Sequence, residues 1–506
     1  MKTPLAHYQL LLEKGKTISV LKSISSLVGW DQETYMPKNG IAMRALQKEY
    51  LETLIHQELT SSELQELLSS FIDLNQGTFR DVEGLDEIQK AVIREWRLDV
   101  TKAKKLPESF VKVFAKTTSE TVAIWGEARQ NNDFKKFAPH LDKIFSLMKE
   151  RANYLGYKDH PYDALLDEYE PGMTVKTLDK LFSGLKPFLI DLTKRLSTQK
   201  QDTSFLYGEF DEHHMLAFDG FLLQKMGFKE NSYRLDTSNH PFCLSLHPSD
   251  VRMTTVTKTS DLFSANIATV IHEAGHGLYE QGLDDTLFGT PLCEALSMGI
   301  HESQSKLWEC FLGQSLPFWS YFYPYLQEKF PRHFQSVPLN TFYQAINQVT
   351  PSFIRIYADE VTYSLHVILR YEMEKAIMEG SLKVQDIPEV WNHKMQEYLN
   401  ITPKTYKEGC LQDIHWAWGL FGYFPTYALG NLYAAQIFHT LKVKFPDWKE
   451  KISQGNLLFI RDFLKENIHR HGRMYSTDAL IKRATGSSLS ERFFKDYLEE
   501  KYLHKK

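Results

Sequence analysis

Cysteine is scarce. The 506 residues hold four, Cys243, Cys293, Cys310 and Cys410, with no Cys-x-x-Cys pair among them. That spacing excludes a thiolate metal cluster and a disulfide framework, and predicts four buried free thiols. Long apolar runs are missing too: no stretch supplies the roughly 18 uncharged apolar residues of a membrane span. The opening "MKTPLAHYQLLLEKGK" has too short an apolar run before Glu13 and Lys14 for a secretion signal. The expected location is therefore cytoplasmic, without a membrane partner. A basic surplus is absent as well, since 59 Lys and Arg stand against 64 Asp and Glu for a net charge of −5. Nucleic acid is accordingly not an expected partner. Low-complexity tracts, internal repeats and Ser/Gly-rich linkers are also lacking, and breaks such as "YMPKNG" and "ITPKTYKEG" are short.

What is present is helical periodicity. Apolar residues recur every three or four positions in "AMRALQKEYLETLIHQEL", "LDEIQKAVIREWRLDVTKAKKL" and "IRIYADEVTYSLHVILRYEMEKAIMEG", with Glu, Lys, Gln and Leu between them. The simplest organisation is one mainly α domain over residues 1–506: a helical region to about 235, a chemistry-bearing region at about 236–430, and closing helices at about 431–506. One stretch departs from this pattern. "FCLSLHPSDVRMTTVT", from Phe242 to Thr257, is rich in Thr, Val and Ser and predicts a short strand pair. A small sheet there offers an edge to which an extended peptide can add.

Directly after it comes "IATVIHEAGHGLYEQG", Ile267 to Gly282. Four helical residues turn the chain by about 400°, so His272 and His276 emerge about 40° apart and about 6 Å along the axis, close enough to share one ion. Two neutral imidazoles at that spacing suit zinc, with cobalt an alternative by ligand type, and Glu273 beside the first is placed to act as a base toward water. An extended motif with Gly at position 279 and His at 282 is excluded, because Tyr279 and Gly282 stand there. Glu280 rises about 12 Å from His272, too far to share the ion. The third ligand must come from the following helix, where "CEALSMGIHESQSKLWE" offers Glu294, Glu302 and Glu309. Glu302 lies 26 positions (302 − 276) beyond His276, enough for a turn and an antiparallel return. Spacing favours Glu302, with His301 a competitor.

"HEAGH" followed by "HESQ" resembles the carboxypeptidase Taq family of zinc metallocarboxypeptidases, a gluzincin branch. "HPF" (His240 to Phe242), "DVRMT" (Asp250 to Thr254), "IRIYAD" (Ile354 to Asp359) and "GCLQDIHW" (Gly409 to Trp416) are similar to that family's motifs in the same order, as are "WDQETYMP", "ENIHRHGRMYS" and "IKRATGSSL". The resemblance spans nearly the whole chain. It implies a nearly all-helical fold with a deep groove, a homodimer, and removal of single residues from peptide C-termini. It also assigns the metal ligands as His272, His276 and Glu302.

Under that resemblance Glu273 is the general base and then acid. Donors to a tetrahedral oxyanion are sought in "QDIHWAWGLFGYFPTY", where likeness to other helical gluzincins favours His415 with Tyr427, and Tyr423 as the alternative. An exopeptidase must detect a free α-carboxylate, which suits the planar fork of arginine. Arg355 is the first candidate and Arg252 the second; the plainer reading of Arg355 is a helical i,i+4 pair with Asp359. Asp250 and His240 are expected to shape the pocket or orient ligands. "NIHRHGR" reads as a basic turn, since the spacing of His469 and His471 does not place them together on a helix. Two competing functions remain: an oligopeptidase cutting internal bonds, with Arg355 structural, and a non-catalytic peptide-binding protein that needs zinc only to fold.

Overall fold

Amphipathic segments with good caps become helices. In the computed structural model, which describes residues 4–80, 82–238 and 240–503, the first two quoted segments form helices Ile41–Thr60 and Glu87–Lys105. The latter starts in a capping box between Asp86 and Gln89, and its last turn carries Lys102, Lys104 and Lys105 against the negative end of the helix dipole. The third segment is helical only from Tyr363 to Glu379. Asp359 is the reason: its carboxylate accepts from the backbone N–H of Thr350, Val361 and Thr362, so the chain is bent into a turn before the helix begins. Arg355 consequently sits in a 3-10 turn, Arg355–Tyr357, and has no helical pairing with Asp359.

Most of the apolar interior forms one core running from Ala128 to Tyr502, which includes the helix Phe424–Lys444, buried over most of its length. A smaller core gathers the N-terminal helices around Leu11, Leu68, Phe71 and Trp96 and also takes in Leu292, from the 3-10 turn Pro291–Cys293. Among the described residues, no helix is long and apolar enough to cross a membrane. All four cysteines are free; Cys310 and Cys410 are buried, but Cys243 and Cys293 are only half-buried, which corrects the expectation for those two.

The sheet has three strands rather than a pair: β1 (Tyr233–Thr237), β2 (Cys243–His247) and β3 (Asp250–Thr255), in the order β1-β3-β2. β2 and β3 form the expected antiparallel hairpin, while β1 adds in parallel on the other side of β3, its polar sequence hiding it from periodicity. Alternation along β3 sorts its side chains. Val251 and Met253 are fully buried, and Met253 Sδ lies 3.0 Å from where a Cβ on Gly277 would stand, so this face packs on the helix carrying His272 and His276. Arg252 points to the opposite face, over the ring of Trp30.

Candidate metal centre and its surroundings

His272, Glu273 and His276 lie on the helix Ala268–Gly282, and Glu302 on the helix Met298–Lys306. These two helices run antiparallel, since His272 meets Glu309 while Glu280 meets His301. Gly275 lets them touch: a Cβ there would stand 2.5 Å from Ser305 Cα. From the other side, Gly430 seats the third residue, because its Cβ would lie 2.5 Å from Glu302 Cγ. A methyl at either position has nowhere to go. Gly430→Ala is expected to push Glu302 aside and weaken metal binding by about tenfold or more, as removal of a ligand's support does; an unchanged dissociation constant in a chelator competition would contradict this.

The ligand atoms of His272, His276 and Glu302 fall within 4.8 Å of one another. Nε2 of His272 and Nε2 of His276 lie 3.7 and 3.5 Å from Glu302 Oε2. Tetrahedral bonds of about 2.0–2.1 Å place ligand atoms about 3.4 Å apart, so the gap between these donors is the size of one divalent ion. The set of two imidazoles and one carboxylate fits such an ion chemically as well. Glu302 is nearly enclosed, whereas the imidazoles keep 20% and 15% side-chain exposure, leaving a path for a further ligand.

Behind each imidazole stands a chain of partners. His272 Nδ1 meets Glu309 Oε2 at 2.7 Å, and Glu309 is in turn held by Lys306 at 2.9 Å. His276 Nδ1 meets His301 Nδ1 at 2.5 Å, and His301 Nε2 meets Glu280 at 2.8 Å. Each ring is thereby turned so that Nε2 points into the triad. The sequence alternatives for the third position thus find other places. His301 and Glu309 back the histidines, while Glu294 pairs with Lys22 and Arg473 away from the triad. Burial raises the carboxyl of Glu302, but His272, His276 and Lys306 outweigh it and pull the group down to about 2. Glu273 is different. Enclosed at 7% exposure, its carboxyl is pushed up to about 7 by burial, with Glu302 adding to the rise and His272 opposing it.

A second cluster abuts the triad. Lys306 Nζ lies over the ring of Tyr363 at 4.6 Å, and the Tyr363 hydroxyl accepts from Arg355 Nη1 at 3.1 Å. Arg355 is buried and stacks on Tyr427 at 4.8 Å, and Tyr427 OH lies 3.3 Å from His415 Nε2. Tyr423 packs edge-on against Tyr427 and at a tilt against His415. The structure therefore brings Arg355, His415, Tyr423 and Tyr427 together beside the triad. Arg355 pairs with Asp413, through Nε at 3.1 Å and Nη2 at 3.0 Å to the same oxygen. Arg370 binds the other oxygen of Asp413 at 2.6 Å, so two guanidiniums share one carboxylate. Burial is the main force on the neighbours, and the surplus positive charge adds to it. Burial and the charge of Arg355 lower His415 to about 3, and burial lowers Arg370 to about 10 despite Asp413.

Residues 10–502 match the family described as Carboxypeptidase Taq (M32) metallopeptidase. The chain belongs to that family. Curated relatives include Carboxypeptidase 1 of Bacillus subtilis, 42% identical over 96% of each chain, and Thermostable carboxypeptidase 1 of Thermus thermophilus, 40% identical over 99% of each. Among solved structures, the carboxypeptidase of Pyrococcus furiosus superposes with a TM-score of 0.94 at 36% identity, covering 98% of this chain and 99% of that one. The M32 carboxypeptidase of Deinococcus radiodurans R1 does so with a TM-score of 0.94 at 33% identity and the same coverage. This M32 member is a metallocarboxypeptidase, with a mainly α fold and a small sheet.

Other residues singled out from the sequence of this M32 chain lie elsewhere. Arg252 is paired with Asp250 at 2.9 Å and stacked on Trp30, on the sheet face turned away from the metal helix. The carbonyl of His240 accepts from Ser238 Oγ, and its side chain is exposed. His469 does lie in a basic turn, the 3-10 turn His469–His471, but its side chain is buried, with Nε2 2.8 Å from Gln304 and its ring near Tyr279, packed behind the metal helix. Sequence reasoning passed over Asp413, Arg370, Tyr363 and Lys306. Two signals for them existed, since Asp413 stands inside "GCLQDIHW" and Lys306 lies one helical turn after Glu302.

Proposed function

We propose that this metallocarboxypeptidase is a zinc enzyme that removes single residues from the C-termini of peptides with broad side-chain tolerance, with His272, His276 and Glu302 as ligands. The observation that carries the proposal is the surplus buried charge next to the triad, where Arg355 and Arg370 share Asp413. A guanidinium has five N–H donors. Arg355 uses three of them on Asp413 and Tyr363, which leaves two for an incoming anion. A peptide's α-carboxylate is such an anion. Bound there, it would set the last peptide bond over the triad and leave no room for chain beyond it.

A divalent metal held by the triad supplies Lewis acidity toward the scissile carbonyl and acidifies water. Everything else falls to side chains. Glu273 accepts the proton of the attacking water on its carboxylate and passes it to the leaving amine nitrogen, a role suited to a carboxyl that burial has brought toward neutrality. His415, kept neutral by burial and Arg355, and Tyr427 are the donors for the developing oxyanion, with Tyr423 holding the ring of Tyr427. Arg252, Asp250 and His240, at the sheet, shape the approach of the peptide. β2 is an edge strand, and Cys243 on it lies near enough to Glu273 and Glu280 to feel their charge, so an extended peptide added at that edge would run beside the metal helix.

The donor set supports zinc, and cobalt fits the same ligands. A cytoplasmic homodimer working on peptides completes the proposal. Mass spectrometry of peptide digests, with and without chelator, tests the function: single-residue shortening that stops on chelation supports it, and internal fragments would favour an oligopeptidase.

A further inference from the structure

The last helix, Arg492–Tyr502, lies away from the triad, yet its polar side chains converge on one buried carboxylate. Glu360, with 2% side-chain exposure, accepts from Tyr502 OH at 2.7 Å and from Tyr497 OH at 3.0 Å, and it forms an ion pair with Lys501. Two of these groups also reach the carbonyl of Cys310, Tyr497 OH at 3.2 Å and Lys501 Nζ at 3.4 Å. The ring of Tyr497 stacks on Phe311 at 4.0 Å.

Both targets are one step from the functional clusters. Cys310 and Phe311 belong to a π-helical turn, Leu307–Leu312, which continues the Glu302 helix and also carries Glu309, the partner of His272. A π-turn costs backbone hydrogen-bond geometry and persists where packing holds it. Here the last helix does so, by taking up the Cys310 carbonyl. Glu360 lies in the bend between Arg355 and the helix Tyr363–Glu379, the segment that sets where the guanidinium of Arg355 stands. A buried ion pair is a costly way to gain stability, because desolvation offsets most of the attraction. It does fix geometry, since leaving any one donor unmet is expensive.

We infer that Tyr497, Lys501 and Tyr502 are positioning residues that hold the two halves of the site in register: the metal-side carboxylate Glu309 through Cys310, and Arg355 through Glu360. None of the three touches substrate or metal. The Arg355 half rests on the proposal that this arginine binds the α-carboxylate; the Glu309 half does not.

Lys501→Met would strand Glu360 and threaten the fold, so the test uses two hydroxyl deletions that preserve ring packing. Tyr502→Phe removes a contact to Glu360 alone, and Tyr497→Phe removes contacts to both Glu360 and Cys310. The readouts are KM and kcat on a peptide with a free C-terminus, and the zinc dissociation constant by chelator competition. Tyr502→Phe is expected to raise KM about threefold while kcat and zinc affinity stay within about twofold, and Tyr497→Phe to weaken zinc binding about three- to tenfold as well, somewhat less than loss of a ligand's direct partner. Arg355→Gln, measured alongside, separates the two ideas. If it leaves KM unchanged, the carboxylate role of Arg355 fails and the zinc constant of Tyr497→Phe alone decides the inference. Wild-type zinc affinity in Tyr497→Phe overturns it, even if both variants melt earlier, because a helix that merely stabilises the fold would lower the melting temperature and move neither constant.

Discussion

Glu273→Gln is expected to lower kcat by about 10³- to 10⁴-fold, the upper range for loss of a positioned general base. The substitution keeps the shape of the side chain and removes its ability to take a proton. Zinc affinity should stay within about twofold, because Glu273 is not among the grouped ligand atoms and the partners of His272 and His276 are untouched. Folding stability should hold or rise slightly: a neutral amide in a position 7% exposed avoids the cost of enclosing a charge. Measuring kcat and bound zinc on the same preparation separates the roles. Substantial hydrolysis by a zinc-loaded Glu273→Gln protein would remove Glu273 from the mechanism, whereas loss of zinc would recast it as a structural support of the site.

Arg355→Gln carries the next largest effect. A charged group that pairs with ligand in a buried site is worth about 2–5 kcal/mol, so kcat/KM on peptides with a free C-terminus should fall by about 30-fold to several thousandfold. On the same peptides capped as C-terminal amides, which have no charge to meet, the substitution should change little. Fold collapse is not expected, because Arg370 still neutralises Asp413 once Arg355 is gone. The pair also sets a sign for acid sensitivity. Burial raises Asp413, but Arg370 and Arg355 outweigh it and hold the group below the usual carboxylate range, so its contribution to stability is fully present above that range. It is lost only as pH falls through the depressed value. Equal losses on free and amidated peptides would make Arg355 a scaffold residue.

The metal helix was legible because chemistry and periodicity coincide in it: His272 and His276 one turn apart need no tertiary information to be read as a pair. Glu302 needed more. Spacing favoured it without excluding its neighbours, and what separates it from Glu309 and His301 is the depth at which Gly275 and Gly430 let three helices meet, which no one-dimensional pattern carries. The segment "IRIYAD" misled for a local reason: its apolar spacing suits a helix, but Asp359 spends its carboxylate on backbone N–H groups and forces a turn. That turn is what brings Arg355 to Asp413, 58 residues away, instead of to Asp359. β1 was hidden because its residues "YRLDT" carry charge on the face that meets Tyr35 and Trp30, where cation–aromatic contact and the Asp236 pairing replace apolar burial. Contacts between distant segments recur in these cases: helix on helix at Gly275 and Gly430, Arg355 on Asp413, and Tyr35 on Asp236. They depend on which turns meet in space, and sequence spacing says little about that.

The most direct test of the account follows one set of peptides by mass over time, each made with a free and with an amidated C-terminus, with zinc and with chelator. The predicted result is stepwise loss of one residue at a time from the free forms and far slower loss from the amidated ones, abolished by chelator and restored by zinc. Cleavage of the amidated forms at the same rate, or the appearance of internal fragments, would contradict a site built around a chain-end carboxylate.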